Sequence, residues 1–264
     1  MKNKILLFLV FAIMGSAAIA QTTVWNPAAN DPSDGLWTTA ANWTADVPAD
    51  AGKVVFNVAD AMDCTLDVVE VIHELKLGDN GPGGTLIIAN GGSLTTGATW
   101  AGIGHNNTAE IIIEAGGSLS LGQHAWIGHV AGGIGVIDVS GTFTIAGMTG
   151  LGWNGGTGLV TVNSGGVLNC LQFGGASIKA ESVLDIRGGT ANLTGDKQGD
   201  VNALIASGHI VAYGGGGTLN VELVDGNTVI TSNADVTAPT VVSTSPVDAA
   251  TGVPGVTNIS IEFS

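Results

Sequence analysis

Three tryptophans, Trp100, Trp126 and Trp153, lie in the middle of the chain. An exposed indole offers a large rigid face that stacks against a sugar ring, so a stripe of them would form a glycan-binding surface. These three are the candidate glycan-stacking residues, against the competing account of corner packing in a repeat. His105 and His129 each follow an Ile-Gly pair, and two neighbouring imidazoles suggest a metal site. Zinc wants three or four ligands, yet the next equivalent position is Trp153 and no Cys or carboxylate recurs beside the pair. Ladder packing accounts for them without a metal. Asp138 and Asp185, with Thr161 between them in the stacking order, are expected to point outward, roughly 9.6 Å apart on strand spacing. That distance is near the limit for an inverting carboxylate pair. Outward acids on so acidic a chain are ordinarily solvated, and a lyase would also need a base, for which Lys179 and Arg187 are the candidates. Asp31, Asp34, Asp46 and Asp50 lack the spacing of a calcium loop, and no Gly-Lys-Ser/Thr follows the glycines as a phosphate cradle requires. No catalytic residue, cofactor or metal ligand is assigned.

The charge pattern narrows the partners further. After Lys2 and Lys4 comes an apolar run from Ile5 to Met14, then Ala18-Ile19-Ala20 before Gln21. This is the layout of a secretory signal over residues 1–20, and it predicts a secreted or cell-surface protein. Residues 21–264 carry five Lys and Arg against 22 Asp and Glu, a net of −17. Such a surface repels nucleic acid and anionic lipid, and Arg187 is the single arginine available to clamp a phosphate. No later segment reaches the ~18 uninterrupted apolar residues of a membrane span. Glycine supplies 42 of the 264 residues without a collagen period, and Val, Ile and Leu run throughout, which argues for a folded, turn-rich β protein rather than disorder.

Self-similarity supplies the elements that must position these residues. Gly92-Ser93-Leu94, Gly117-Ser118-Leu119, Gly141-Thr142-Phe143, Gly166-Val167-Leu168 and Gly189-Thr190-Ala191 recur at spacings of 25, 24, 25 and 23. In step with them, Leu77-Gly78, Ile103-Gly104, Ile127-Gly128 and Leu151-Gly152 are separated by 26, 24 and 24. Between the markers run alternating segments, such as Ile111 with Ile113 and Val160 with Val162, whose period of two buries one face. A unit of about 24 residues with short strands cannot bury its apolar side alone, so units must stack and share one core. The predicted fold is all-β, a right-handed parallel β-helix with coils about 4.8 Å apart. The column Thr96, Leu121, Ile145, Cys170 is then internal. An oxidising compartment would permit a Cys64–Cys170 bond, but this placement favours two buried thiols.

Segments such as Ile127-Gly128 through Gly133-Ile134-Gly135-Val136-Ile137-Asp138-Val139 to Gly141, and Leu151-Gly152 through Val160-Thr161-Val162 to Gly165-Gly166, resemble the autotransporter and PEP-CTERM-associated repeat. The resemblance covers about residues 86–189 and implies a β-helical passenger region of a secreted or surface-attached bacterial protein. The stretch with Trp25, Trp37, Asn42-Trp43 and Pro48 is similar to the segment that precedes such repeats. The tail from Ala238-Pro239-Thr240 through Ser245-Pro246 and Val253-Pro254 to Ile259, Ile261 and Phe263 resembles the start of a bacterial Ig-like domain. The expected organisation is therefore a signal peptide at 1–20, an N-terminal cap at 21–63 and a solenoid at 64–232. After Lys197, the Gly214–Gly217 run and the Leu219–Leu223 strand read as a closing coil, and residues 233–264 as a linker and truncated Ig-like β-sandwich.

The functional expectation is a non-catalytic, exported structural or adhesin-like module. A glycan-binding or polysaccharide-degrading β-helix is one alternative, and a surface-layer component the other. Surface glycans or cell-envelope components are the partners these readings imply.

Overall fold

Each 24-residue repeat becomes one coil of short strands, because the apolar residues alternate and glycines stand at most of the corners. In the computed structural model, residues 21–27, 34–48, 52–59, 62–179, 181–235, 241–245 and 260–263 are described. The signal segment, Asp31 and Asp50, and most of the Ig-like tail lie outside them. The chain opens with β1 (Thr22–Val24) and β2 (Lys53–Phe56), and the first coil holds β3 (Cys64–Leu66), β4 (Val69–Ile72) and β5 (Glu74–Leu77). The second holds β6 (Thr85–Ile88), β7 (Ser93–Thr96) and β8 (Ala101–Ile103), and the third β9 (Thr108–Ile113), β10 (Ser118–Leu121) and β11 (Ala125–Ile127). In the next two coils the second and third strands fuse, giving β12 (Ile134–Val139) with β13 (Thr142–Leu151) and β14 (Thr157–Asn163) with β15 (Val167–Ile178). The sixth holds β16 (Val183–Arg187) and β17 (Thr190–Leu193). Every strand from β3 to β17 pairs in parallel with its counterpart one coil away, so the fold is a β-solenoid of about six turns.

Parallel register, interrupted by shifts only between β13 and β15, lines up like residues into ladders. On one face Cys64, Leu86, Ile111, Ile137, Val160, Leu184 and Ile210 form an unbroken buried column. On another, Phe56, Leu77, Ile103, Ile127, Leu151 and Ile178 do the same. The predicted column through Leu121, Ile145 and Cys170 is internal and continues to Leu193. Cys64 and Cys170 are both buried, free thiols. Burial pushes both up, Cys170 to about 12, which keeps them protonated.

The recurring Ile/Leu-Gly marker has a double cause. Gly78, Gly104, Gly128 and Gly152 all have positive φ, between 65° and 72°, where L side chains are strained. A Cβ on Gly128 would also collide with the Thr157 carbonyl of the next coil. Only glycine allows the bend and the close approach together.

The two ends are closed differently. β1 adds to β2 and β2 to β5 in parallel, and Trp25, Trp37 and Trp43 pack with Phe56 over the end of the core. At the far end the chain forms α1 (Gln198–Ala206), β18 (Ile210–Ala212), β19 (Gly217–Val224) and β20 (Asn227–Ala234). β18 continues the stack, but β20 pairs antiparallel to β17 and β19 antiparallel to β20. The expected closing coil is thus a helix and a hairpin, which change strand direction and end the parallel ladder. Beyond it, β21 (Val241–Ser245) pairs antiparallel with β22 (Ser260–Phe263).

Candidate functional site: an aromatic ribbon on one face

The outer side of the β5, β8, β11 and β13 face carries the chemistry. Its register aligns Lys76, Gly102, Trp126 and Gly150 in one outward column. Glycine here serves as a floor. A Cβ on Gly150 would lie 2.5 Å from the Trp126 ring and 3.6 Å from that of Trp153, and one on Gly102 would lie 3.2 Å from the Trp100 ring. The indoles therefore lie down on the bare backbone instead of standing off it.

The rings form a continuous ribbon along the stacking direction. Trp100 meets His105 at 5.6 Å and His129 at 5.3 Å between centroids, and the two imidazoles are 4.8 Å apart. His129 stacks on Trp126 at 5.8 Å with planes 15° apart, and Trp126 meets Trp153 at 5.0 Å. His124 flanks Trp126 at 5.6 Å. The structure thus brings Trp100, Trp126 and Trp153 together, all half-exposed, with His105 and His129 as links between them. They come from three different repeat positions: Trp126 aligns with Gly102, Trp100 precedes that position by two, and Trp153 follows the corner glycine as the histidines do.

A lysine amine closes each end of the ribbon. Lys76 lies over the Trp100 ring, donates to the Trp100 carbonyl at 2.8 Å and pairs with Glu74 at 3.2 Å. Burial pushes this amine down to about 7, against the opposing pull of Glu74. Lys179 sits 5.4 Å from the centroid of Trp153, a cation–π arrangement. His105 Nδ1 lies 3.2 Å from Asp79 Oδ1. His129 Nδ1 is buried without a partner, and desolvation, with His105 and Lys76 nearby, holds its pKa below the usual imidazole value. Its ring is therefore neutral at pH 7 and stacks as an uncharged aromatic. Among the described residues no three His, Cys, Asp or Glu side chains are grouped as a metal would require.

Sequence reasoning missed Lys76. Its signal was legible in principle, since it stands 26 residues before Gly102 and so in the column of Trp126.

The carboxylate pair has a different outcome. Asp138, Thr161 and Asp185 do share a column, two coils apart. Asp185, however, is buried at 5% exposure instead of facing solvent. Its Oδ2 accepts from Arg187 Nε at 2.7 Å and from the Gly214 amide at 2.9 Å, so it pins the closing segment to the last coil. Asp138 accepts from the Asn163 side chain. Lys179 and Arg187 are likewise engaged apart from each other, one at the ribbon and one at this clamp. Asp34 organises its own turn, accepting from the Leu36 amide, Thr39 and Asn42, and those bonds hold its carboxyl below the usual range.

A groove of about 490 Å³ lies along the C-terminal coils, lined by residues including Asn169, Cys170, Asn192 and Asp225. The thiol lining it is the protonated Cys170, which offers no nucleophile at neutral pH. Among the described residues no helix is long and apolar enough to cross a membrane. No protein-family model, curated protein or solved structure matches this chain.

Proposed function

We propose that this chain is an exported, non-catalytic surface module, an adhesin-like solenoid of the kind its repeat resembles, carried outward as a stalk and followed by Ig-like spacers. The observation that carries this reading is the repetition itself. Six coils share one apolar core, and the repeat is spent on a long regular surface. Many small contacts along such a surface favour multivalent, individually weak binding. The test is to recover the protein from fractionated cells and sequence its N-terminus. A chain beginning at Gln21 in the medium or envelope is expected, and an intact Met1 in the cytoplasm would overturn export.

A second reading, glycan binding, is favoured by the ribbon. Partly exposed indoles on a glycine floor, tilted 35° between Trp126 and Trp153, form a strip one ring wide along which an extended sugar chain can run. Saturable binding to a polysaccharide panel, lost in Trp126→Ala and Trp153→Ala, is expected. Absence of binding to every member would leave the display role alone.

A further inference from the structure

The basic side chains are distributed unevenly. Of the five Lys and Arg after residue 20, Lys76 and Lys179 meet the ribbon's rings, and Lys53 pairs with Glu74 and Asp79 beside its first-coil end. Arg187 is held by Asp185, and Lys197 precedes α1. Acids are distributed in the opposite sense. Glu74 and Asp79 occupy the first-coil end, where they pair with Lys76, Lys53 and His105. Between Glu114 and Glu181 the sequence holds a single acid, Asp138, in a chain with 22. Asp138 lies in β12, on another face, and accepts from Asn163. Among the described residues, the Trp126–Trp153–Lys179 end is therefore sparse in carboxylates, Glu181 excepted, on an otherwise acidic protein. Lys179 makes no ion pair among the described residues. Glu181, two residues on, lies in an exposed turn with φ of 67° and does not pair with it.

An aromatic floor ending in an unpaired ammonium recognises two things at once, the apolar face of a sugar ring and an anion next to it. A neutral glycan would need neither the cation nor the cleared surroundings. The geometry points to a linear acidic polysaccharide, bearing carboxylate or sulfate groups, as the ligand class, its rings on Trp126 and Trp153 and its anionic group against Lys179. This rests on the glycan-binding reading above. Elsewhere the net charge of the chain repels such a polymer, so contact is confined to this strip.

The test is equilibrium binding of the purified protein at low and high salt to two matched pairs: polygalacturonate with its methyl ester, and dextran sulfate with dextran. The expected result is at least tenfold tighter binding to one charged member than to its neutral partner, with the gap closing at high salt. Which pair shows the gap identifies carboxylate or sulfate as the anion. Lys179→Gln, a surface change that leaves the core intact, is expected to reduce the charged polymer's affinity several-fold and leave the neutral one unchanged. Trp126→Ala is expected to weaken both, with the melting temperature checked to separate binding from folding. Equal affinity within both pairs would overturn the acidic class and keep the glycan reading. No binding to any of the four would overturn both.

Discussion

Half of the six tryptophans are core and half are surface, and the two sets are built from the same contacts. Trp25, Trp37 and Trp43 sit at centroid distances of 4.8 to 4.9 Å and are at most 5% exposed. Trp100, Trp126 and Trp153 have comparable ring contacts and stay half-exposed. The difference is what lies beneath. The N-terminal set covers the open end of apolar columns, with Trp25 donating to the Met62 carbonyl at 2.8 Å and Trp43 to the Trp37 carbonyl at 2.7 Å, while the Trp37 indole N–H is buried without a partner. The ribbon lies outside a sheet whose inner side is already filled by Ile103, Ile127 and Leu151. Rings placed where the core is incomplete stabilise the fold, whereas rings placed where it is complete stay partly exposed at the surface.

The largest expected effect tests that division directly. Trp37→Ala should cost about 3–5 kcal/mol in a denaturant titration, because it opens a cavity in a fully buried cluster. Trp126→Ala should cost only about 1 kcal/mol, the scale of an aromatic pair beyond area burial. Equal losses would erase the distinction between plug and ribbon.

Next come the glycines under each kind of contact. Gly128→Ala combines a positive φ with a collision against the Thr157 carbonyl and should destabilise by about 2 kcal/mol or more. Gly150→Ala collides with the Trp126 ring, which can swing away, and makes ordinary contact with Trp153. It should shift tryptophan fluorescence and weaken ligand binding while leaving the unfolding midpoint nearly in place.

A different effect tests the buried end of the ribbon by pH. Lys76 is held near 7 in the folded chain and returns to about 10.4 when unfolded. Between these values the unfolded state binds the extra proton, so stability should rise with pH from 7 to 10 and lie flat below 7 for this group. Lys76→Met should flatten that rise and match or exceed the wild-type midpoint at pH 6, as apolar replacements of buried charges do. A rise that survives the substitution would remove Lys76 as its source.

The finest probe is thiol labelling. Cys64 lies beside Thr65, whose carbonyl accepts from the Trp37 amide, and Cys170 lies in the fifth coil. Both should resist alkylation at pH 8, and Trp37→Ala should accelerate labelling of Cys64 with little change at Cys170. Equal acceleration would mean that the plug stabilises the whole stack and not its own end.

Much of this was legible because a repeat converts sequence spacing into spatial register. Ile145 and Cys170, 25 residues apart, are neighbours in one column for that reason alone. The ribbon was half legible: Trp100, Trp126 and Trp153 stood out by type, while Lys76 did not, because nothing local to it signals an indole one coil away. Asp185 was misread as solvated, since its strand alternation is correct and only the return of Gly214 covers it. The closing segment was misread as another coil, because the short Leu219–Leu223 alternation fits a parallel or an antiparallel partner equally.

By itself, then, the sequence determined the period, the all-β stack, the inward columns and the corner glycines, all consequences of residues repeating at one fixed interval. The tertiary structure alone decided which indoles are plug and which are ribbon, where the two lysine amines meet the rings, and that Asp185 is a clamp. Those outcomes depend on side chains leaning across coils and on end segments folding back, and neither is periodic along the chain.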